Sequence, residues 1–344
     1  MARIVVLGGQ GYLGGRAVAA LRAAGADVHV ASRSSARVVD VARPETYGAL
    51  ADADVVVDLV DTVAHPPDAL LAWCVAQGKV VLEATSDSRT VERLAAAAWP
   101  GPGALVLGCG IFTGVSNLLA RDAVEACPGG AARLTLGIAS SPLSGAGQGT
   151  IAMMVDALDA PVVRYAAGVR HVRDTVEVGP RVDFGVNGRP ELRATLRIAL
   201  AEAMMIHRST AVPTVDVYFA PIPALLVPAF AVIPGWLARR RWFQAFMRGY
   251  FTVLRRGLLR NRASPVTLVA EAVGPAGAAR RVLSTEDGML REATPSRRWP
   301  WRWRRATRAR EGWCSSTRCV GSRRSWLRMR AIPGAPGVEV SGRA

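Results

Sequence analysis

Ile4–Leu7 is an unbroken apolar, β-branched run, the pattern of a short strand buried on both faces. A polar, glycine-rich stretch follows. An alanine-rich amphipathic segment then runs from Arg16 to Ala24 and stops at Gly25, which predicts a helix with a glycine terminator. Asp27–Ser32 predicts a second strand. The alternation then repeats: strand over Ala53–Val60, helix over Pro67–Gln77, strand over Val80–Ala84, helix over Val91–Ala98, strand over Ala104–Leu107. Strands alternating with helical stretches predict an α/β fold built on a doubly wound parallel sheet. The last strand runs into the glycine turn of Gly108, Gly110 and Gly114, and Ser116–Asn117 are placed to cap a helix reaching Ala126. Further on, Pro265–Val273 and Arg281–Ser284 read as paired strands across the sequence GPAGAA.

The stretch between the first strand and helix contains GxGxxG at Gly9, Gly11 and Gly14. Each glycine has a physical task there: the first allows the tight turn, the second lets backbone approach a pyrophosphate, the third lets helix and strand pack closely. Backbone N–H groups from Gln10, Tyr12 and Leu13 at the helix start face the phosphates, aided by the helix dipole. The strand–turn–helix context is the Rossmann arrangement. NAD-binding units usually carry Asp or Glu about 20 residues past the glycines. Here Ser32-Arg33-Ser34 stands at that place, with Asp27 too early and Asp40 too late. An arginine pairs with a 2′-phosphate and two hydroxyls add hydrogen bonds, so NADP(H) is favoured over NAD(H). The alternative is that Arg33 is a solvated loop residue. Asp61 and Thr62, at the carboxyl end of the third strand, are expected near the cofactor.

Together, GGQGYLG, ASRS after the second strand, VVLEATSD and GIFTGVSNLLAR resemble the saccharopine dehydrogenase-like oxidoreductases, over roughly residues 1–290. SSPLSGAGQGTIAMMVDAL resembles the glycine-rich turn opening a helix in that family's second domain. The resemblance implies an NADP-binding Rossmann domain at 1–127, a mixed α+β substrate and dimerisation domain at 128–292, and a homo-oligomer. It does not fix the substrate, since members act on imines, polyamine precursors and unsaturated lipid intermediates. The one lysine of the chain, Lys79, falls in a helix-to-strand turn, which departs from the lysine-dependent chemistry of saccharopine-forming enzymes.

Hydride transfer asks little of a protein beyond orienting the cofactor, excluding water and placing one proton donor. Cys109, Asp61 and Glu83 are the candidates retained near the strand ends; His65, Asp87 and Thr113 are also nearby. Cys109 in its glycine-flanked turn reads either as a proton donor or as a small buried filler. The turn Ser144–Thr150 reads equally as an anion site or a structural turn. His171 and His207 show no evident partner. The expected activity is an NADP(H)-dependent oxidoreductase acting on a C=O, C=N or C=C bond of a small or lipophilic substrate. The rival is a non-catalytic dinucleotide sensor or membrane-surface scaffold, because a Rossmann fold alone does not establish an enzyme.

Charge and composition change two points. Between Val217 and Ala238 no residue is charged, but four prolines (Pro221, Pro223, Pro228, Pro234) argue against a regular spanning helix. Arg239-Arg240-Arg241-Trp242-Phe243 and later arginines follow. Residues 217–262 are thus open to three readings: peripheral membrane contact, a dimer interface, or a wall around a lipophilic substrate. The net charge of +16 suggests nucleic acid until it is located: residues 297–330 hold twelve arginines against Glu311. Residues 293–344, with five of nine tryptophans and no helix or strand period, read as a disordered basic arm or as the product of a shifted reading frame. Nucleic acid is not an expected partner of the folded domains. Five cysteines without a CxxC pair predict neither a disulfide framework nor a metal site. With no signal-peptide pattern, the expected location is cytoplasmic, with membrane association following from the 217–262 reading.

Overall fold

In the computed structural model, residues 2–141, 155–186, 189–257 and 265–285 are described, together with the short strands Cys314–Ser315 and Glu339–Arg343. The turn at 144–150 and most of the 293–344 region lie outside the described residues. The chain forms two compact units, Met1–Thr85 with Arg93–Gly114 and Leu290–Pro336, and Ser86–Glu92 with Val115–Met289 and Gly337–Ala344.

The first unit is a parallel sheet of six main strands with helices, an α/β Rossmann-type fold. Its elements are β1 (Arg3–Leu7), α1 (Tyr12–Ala23), β2 (Asp27–Ser32), β3 (Arg37–Val38), β4 (Val55–Asp58), α2 (Asp68–Ala76), β5 (Val80–Glu83), the end of α3 (Ser88–Ala96) from Arg93 on, and β6 (Ala104–Leu107). The strand order is β6-β5-β4-β1-β2-β3, and Cys314–Ser315 adds to the outside of β6. Val5, Val6, Val56, Val81 and Leu105 are almost completely buried, which explains why these strands read as continuous apolar runs rather than alternating ones. Two residues in β1 face each side. Val6 packs with Val18 of α1 and Val28 of β2, while Val5 and Leu7 alternate to the opposite face of the sheet. The chain leaves β1 for β2 on one side and later returns to set β4 on the other. That reversal opens a crevice at the carboxyl ends of β1 and β4.

Lys79 is structural. Its ammonium is buried and donates to the carbonyl oxygens of Ala51 and Ala53, both at 2.8 Å, tying the loop before β4 to the start of β5. The helix predicted over Val91–Ala98 begins earlier, at Ser88, because the Asp87 carboxylate accepts from the Thr90 N–H at 2.7 Å and starts it.

The second unit is a mixed sheet with helices against it. Helix α4 (Ser116–Glu125) leads into β7 (Arg133–Ser140); β14 (Thr214–Pro221) pairs parallel with β7, and β15 (Val266–Gly274) and β16 (Gly277–Thr285) form an antiparallel hairpin on its other side. Phe184 packs on β7, where a side chain on Gly137 would meet its ring at 2.9 Å. Ser116 and Asn117 do not cap α4. Both are buried: the Ser116 hydroxyl lies 3.3 Å from Glu202 and the Asn117 amide 3.4 Å from the Met205 sulfur. The pull of the neighbouring helix Glu202–Thr210 outweighs local capping. His207 stacks on Tyr165 with ring centroids 3.8 Å apart, and its Nδ1 lies 2.9 Å from the Val212 carbonyl. His171 lies on the exposed strand Val169–Arg173.

The uncharged stretch 217–238 is not one element. Its first part completes β14, whose residues from Val215 to Pro221 are buried. The rest forms the short helices Leu226–Ala231 and Gly235–Ala238, each interrupted or bounded by proline. A third helix, Arg241–Gly257, follows. Among the described residues no helix is long and apolar enough to cross a membrane.

Candidate functional site

The site is built from the turn between β1 and α1. Gly8, one position ahead of the motif, carries the left-handed backbone (φ +71°) that reverses the chain, and its Cα approaches the Leu59 backbone at the end of β4. The Gly11 N–H closes the turn onto the Gly8 carbonyl at 2.8 Å. Gly9 is buried, and a side chain there would meet Val30 at 2.8 Å. Gly14 is the most constrained: a Cβ would stand 2.0 Å from the Gly8 carbonyl oxygen. Helix α1 can lie this close to the turn only because that atom is missing. Gly11 differs, being exposed and meeting only the Gly8 oxygen, at 3.1 Å. Its bare Cα faces outward.

Gln10, Gly11 and Tyr12 form the exposed lip of the turn, and Leu13 is partly exposed. The Tyr12 ring lies under the Arg16 guanidinium at 4.3 Å. No acidic residue occupies the first turn of α1, so the positive end of the helix is not neutralised locally and its opening N–H groups suit an anion.

The turn is joined to the end of β2 by one side chain. The hydroxyls of Ser32 and Ser34 donate to Gln10 Oε1 at 2.9 and 3.2 Å, and the Ser34 N–H donates to the Ser32 hydroxyl at 3.2 Å. Ser35, which the sequence did not single out, holds the loop: its hydroxyl accepts from the Ser32 N–H at 2.8 Å and donates to the Arg37 carbonyl at 2.7 Å. Arg33 projects from this loop, exposed and with no ion-pair partner among the described residues. Arg37 is already engaged by Asp52. The structure thus brings the glycine lip, two hydroxyls and an uncommitted guanidinium to one edge.

At the carboxyl ends of β4 and β5 and after β6, threonines form a polar thread. The Thr62 hydroxyl donates to the Thr85 hydroxyl at 2.8 Å, and the Thr113 hydroxyl reaches the Thr85 carbonyl at 3.2 Å. Thr113 has φ +61° and is fully buried, a strained position for a β-branched residue. Asp61 is exposed, and its carboxylate accepts from the N–H groups of Val63 and Ala64 at 3.1 and 3.3 Å.

Glu83 and Cys109 lie beside each other, the Cys109 N–H donating to the Glu83 carbonyl at 2.9 Å. Glu83 is completely buried and both its oxygens accept from the Thr85 N–H at 3.0 Å. Burial, with the charge of Asp58 second, pushes its carboxyl well above the usual range. Asp58, its in-register neighbour on β4, is raised by burial to about 6. Burial, and then the charge of Glu83, pushes the Cys109 thiol up to about 12. Cys109 is therefore not poised as an anion at neutral pH, burial works against the Glu83 carboxylate, and Asp61 is not brought into contact with them. Among the described residues no group of His, Cys, Asp and Glu is arranged to hold a metal.

Residues 4–99 match the model of the NAD dependent epimerase/dehydratase family. No curated protein matches the chain. Among solved structures, the UDP-N-acetylglucosamine 4-epimerase from Bacillus cereus is similar over 26% of this chain, with 24% identity and a TM-score of 0.22. That match spans 37% of the epimerase's length. The C. glutamicum DAP dehydrogenase in complex with DAP is 13% identical over 85% of each chain, with a TM-score of 0.42. A meso-DAP dehydrogenase variant from Clostridium tetani E88 is 11% identical over 86% of each chain, with a TM-score of 0.41. The matched residues 4–99 contain the glycine turn, the β2 loop and the end of β4.

Proposed function

We infer that this chain is an NADP(H)-dependent oxidoreductase of the saccharopine dehydrogenase-like type, acting on a C=O, C=N or C=C bond. The observation that carries the reading is the link from Gln10 to Ser32 and Ser34, which sets an unpaired Arg33 beside an exposed glycine lip. The residues fit the cofactor. Gly11 leaves its outward side bare, the start of α1 offers N–H donors without a neighbouring acid, and the β2 loop offers hydroxyls and a cation where a 2′-phosphate would sit.

In this reading the first turn of α1 and the Gln10–Leu13 backbone bind the pyrophosphate. Ser32, Ser34 and Arg33 hold the 2′-phosphate through charge-assisted hydrogen bonds. When bound, the nicotinamide supplies or accepts hydride. The buried threonine thread fixes the strand ends where the ring would lie, and Asp61 braces the adjoining turn through its backbone contacts. Cys109, with its thiol kept protonated, is a weak proton donor rather than a nucleophile. That same feature favours the second reading, a dinucleotide sensor without turnover, because desolvation works against the charged form of both Glu83 and Cys109.

Titration with NADPH and NADH, followed by nucleotide fluorescence, tests the cofactor assignment. Arg33→Ala is expected to weaken NADPH binding by about 10- to 100-fold, the loss of one or two hydrogen bonds to a charged group, and to leave NADH binding nearly unchanged. An unaltered NADPH to NADH ratio would remove Arg33 from this role.

A further inference from the structure

The helix Arg241–Gly257 has two apolar faces, and only one of them is packed. On the inner side, Phe251 is buried against Phe230, Val227 and Leu196, with Met247 alongside. The cavity beneath, lined by Phe251, Phe230, Leu158 and Phe219, has a volume of about 20 Å³. That is room for one water and too little for an acyl chain, so the inner side is a core and not a lipid pocket. On the outer side, Trp242 is 65% exposed, Phe246 59%, Tyr250 51% and Val253 71%. These fall at i, i+4, i+8 and i+11, a stripe about 17 Å long on one side of the helix. Phe246 and Tyr250 stack with ring centroids 6.3 Å apart, confirming that they share a face. Ala245 and Gly249 lie on the same face, so the stripe carries no charge from Trp242 to Val253. Just upstream, Val232 (75%) and Trp236 (64%) are also exposed.

Charge decides what such a stripe meets. From Val217 to Ala270 the sequence has eight arginines and no Asp or Glu. Arg239 and Arg248 are engaged by Asp159, Asp174 and Asp156. Arg240 and Arg241 are exposed at the head of the helix, with no ion-pair partner among the described residues. A two-fold interface would bring two copies of this arginine-rich patch together, and the three carboxylates beside it, Asp156, Asp159 and Asp174, are already engaged by Arg239 and Arg248. An anionic lipid surface complements both features at once: rings enter the acyl boundary while guanidinium groups stay among the headgroups. We propose that Arg241–Gly257 is an interfacial helix that docks this protein, lying flat, on anionic membrane surfaces through Trp242, Phe246 and Tyr250.

The test uses the full chain and co-sedimentation with phosphatidylcholine vesicles, with and without phosphatidylglycerol. Wild type is expected to sediment with the anionic vesicles and far less with the neutral ones. The double variant Trp242→Ser/Phe246→Ser, which alters only exposed positions, is expected to lose about tenfold or more of the partition coefficient. Arg240→Ser/Arg241→Ser is expected to erase most of the preference for anionic lipid. A wild-type protein left in the supernatant with both vesicles overturns the proposal. So does undiminished sedimentation of the Trp242→Ser/Phe246→Ser variant, which would move the contact to another part of the chain. A shift of that variant from dimer to monomer in light scattering, with no lipid binding by wild type, would assign the face to a second copy instead.

Discussion

Glycines in the same motif do different work, and the difference is measurable. Gly14 is held by its distance to the Gly8 carbonyl oxygen, where a methyl group would stand at 2.0 Å. Gly14→Ala must push α1 off the turn, so it is expected to cost about 2–3 kcal/mol of stability and to abolish dinucleotide binding. Gly11 has an ordinary φ of −73° and faces outward. Gly11→Ala is expected to melt within a few degrees of wild type yet bind NADPH at least about tenfold more weakly, since its methyl group occupies the pyrophosphate's approach. Thermal melting paired with the nucleotide titration separates the two. Equal stability loss in both variants would mean that Gly11 serves packing and not the ligand. The same scale shows a limit of reading residues in sequence. Ser32 and Ser34 are named by their place after β2, but their common acceptor, Gln10, depends on how two loops curve together.

Elements whose pattern is local were legible. The parallel strands announced themselves as apolar runs because both faces of the sheet are covered, and the β15–β16 hairpin because its turn is rich in glycine and proline. Helix Arg241–Gly257 is the opposite case. Its sequence is apolar on more than one side, and only packing shows which side is core. Phe251→Ala is expected to cost about 3 kcal/mol in chemical denaturation, since it empties a well-filled cluster. Phe246→Ala, five residues earlier and exposed, is expected to change stability by no more than about 0.5 kcal/mol. Similar losses from both substitutions would show that the outer face is covered in the native protein.

For the molecule as a whole, charge is distributed in blocks. The excess of arginine lies in residues 297–330 and in the acid-free segment 217–270, so net charge describes these regions and not the parallel-sheet unit. Inside that unit the relevant charge is the one that burial suppresses. Asp58 is raised by desolvation from 3.8 to about 6, so the folded state holds a proton that the unfolded chain releases. Its contribution to stability is fully present below pH 3.8 and is lost as pH rises through 6, an effect of about 2–3 kcal/mol. Glu83 acts in the same direction. Asp58→Asn retains an oxygen to accept the Val60 N–H and cannot ionise. It is expected to flatten the fall in melting temperature between pH 4 and 7 while leaving Glu83's share. Equal slopes for variant and wild type would show that Asp58 ionises freely in the folded protein.

The sequence alone determined the parallel sheet, the glycine turn and the place of the β2 loop, because strand burial, helix entry and phosphate-loop geometry are governed by residues within a few positions of one another. The tertiary structure decided the rest. It drew Ser116 and Asn117 away from a cap, buried Lys79 as a brace, set desolvation against the charged forms of Glu83 and Cys109, and divided the apolar 217–238 stretch into a core strand and short helices. It also left one aromatic face of the following helix exposed. These outcomes depend on desolvation and on neighbours distant in the chain, and no local pattern encodes how much water a side chain will keep.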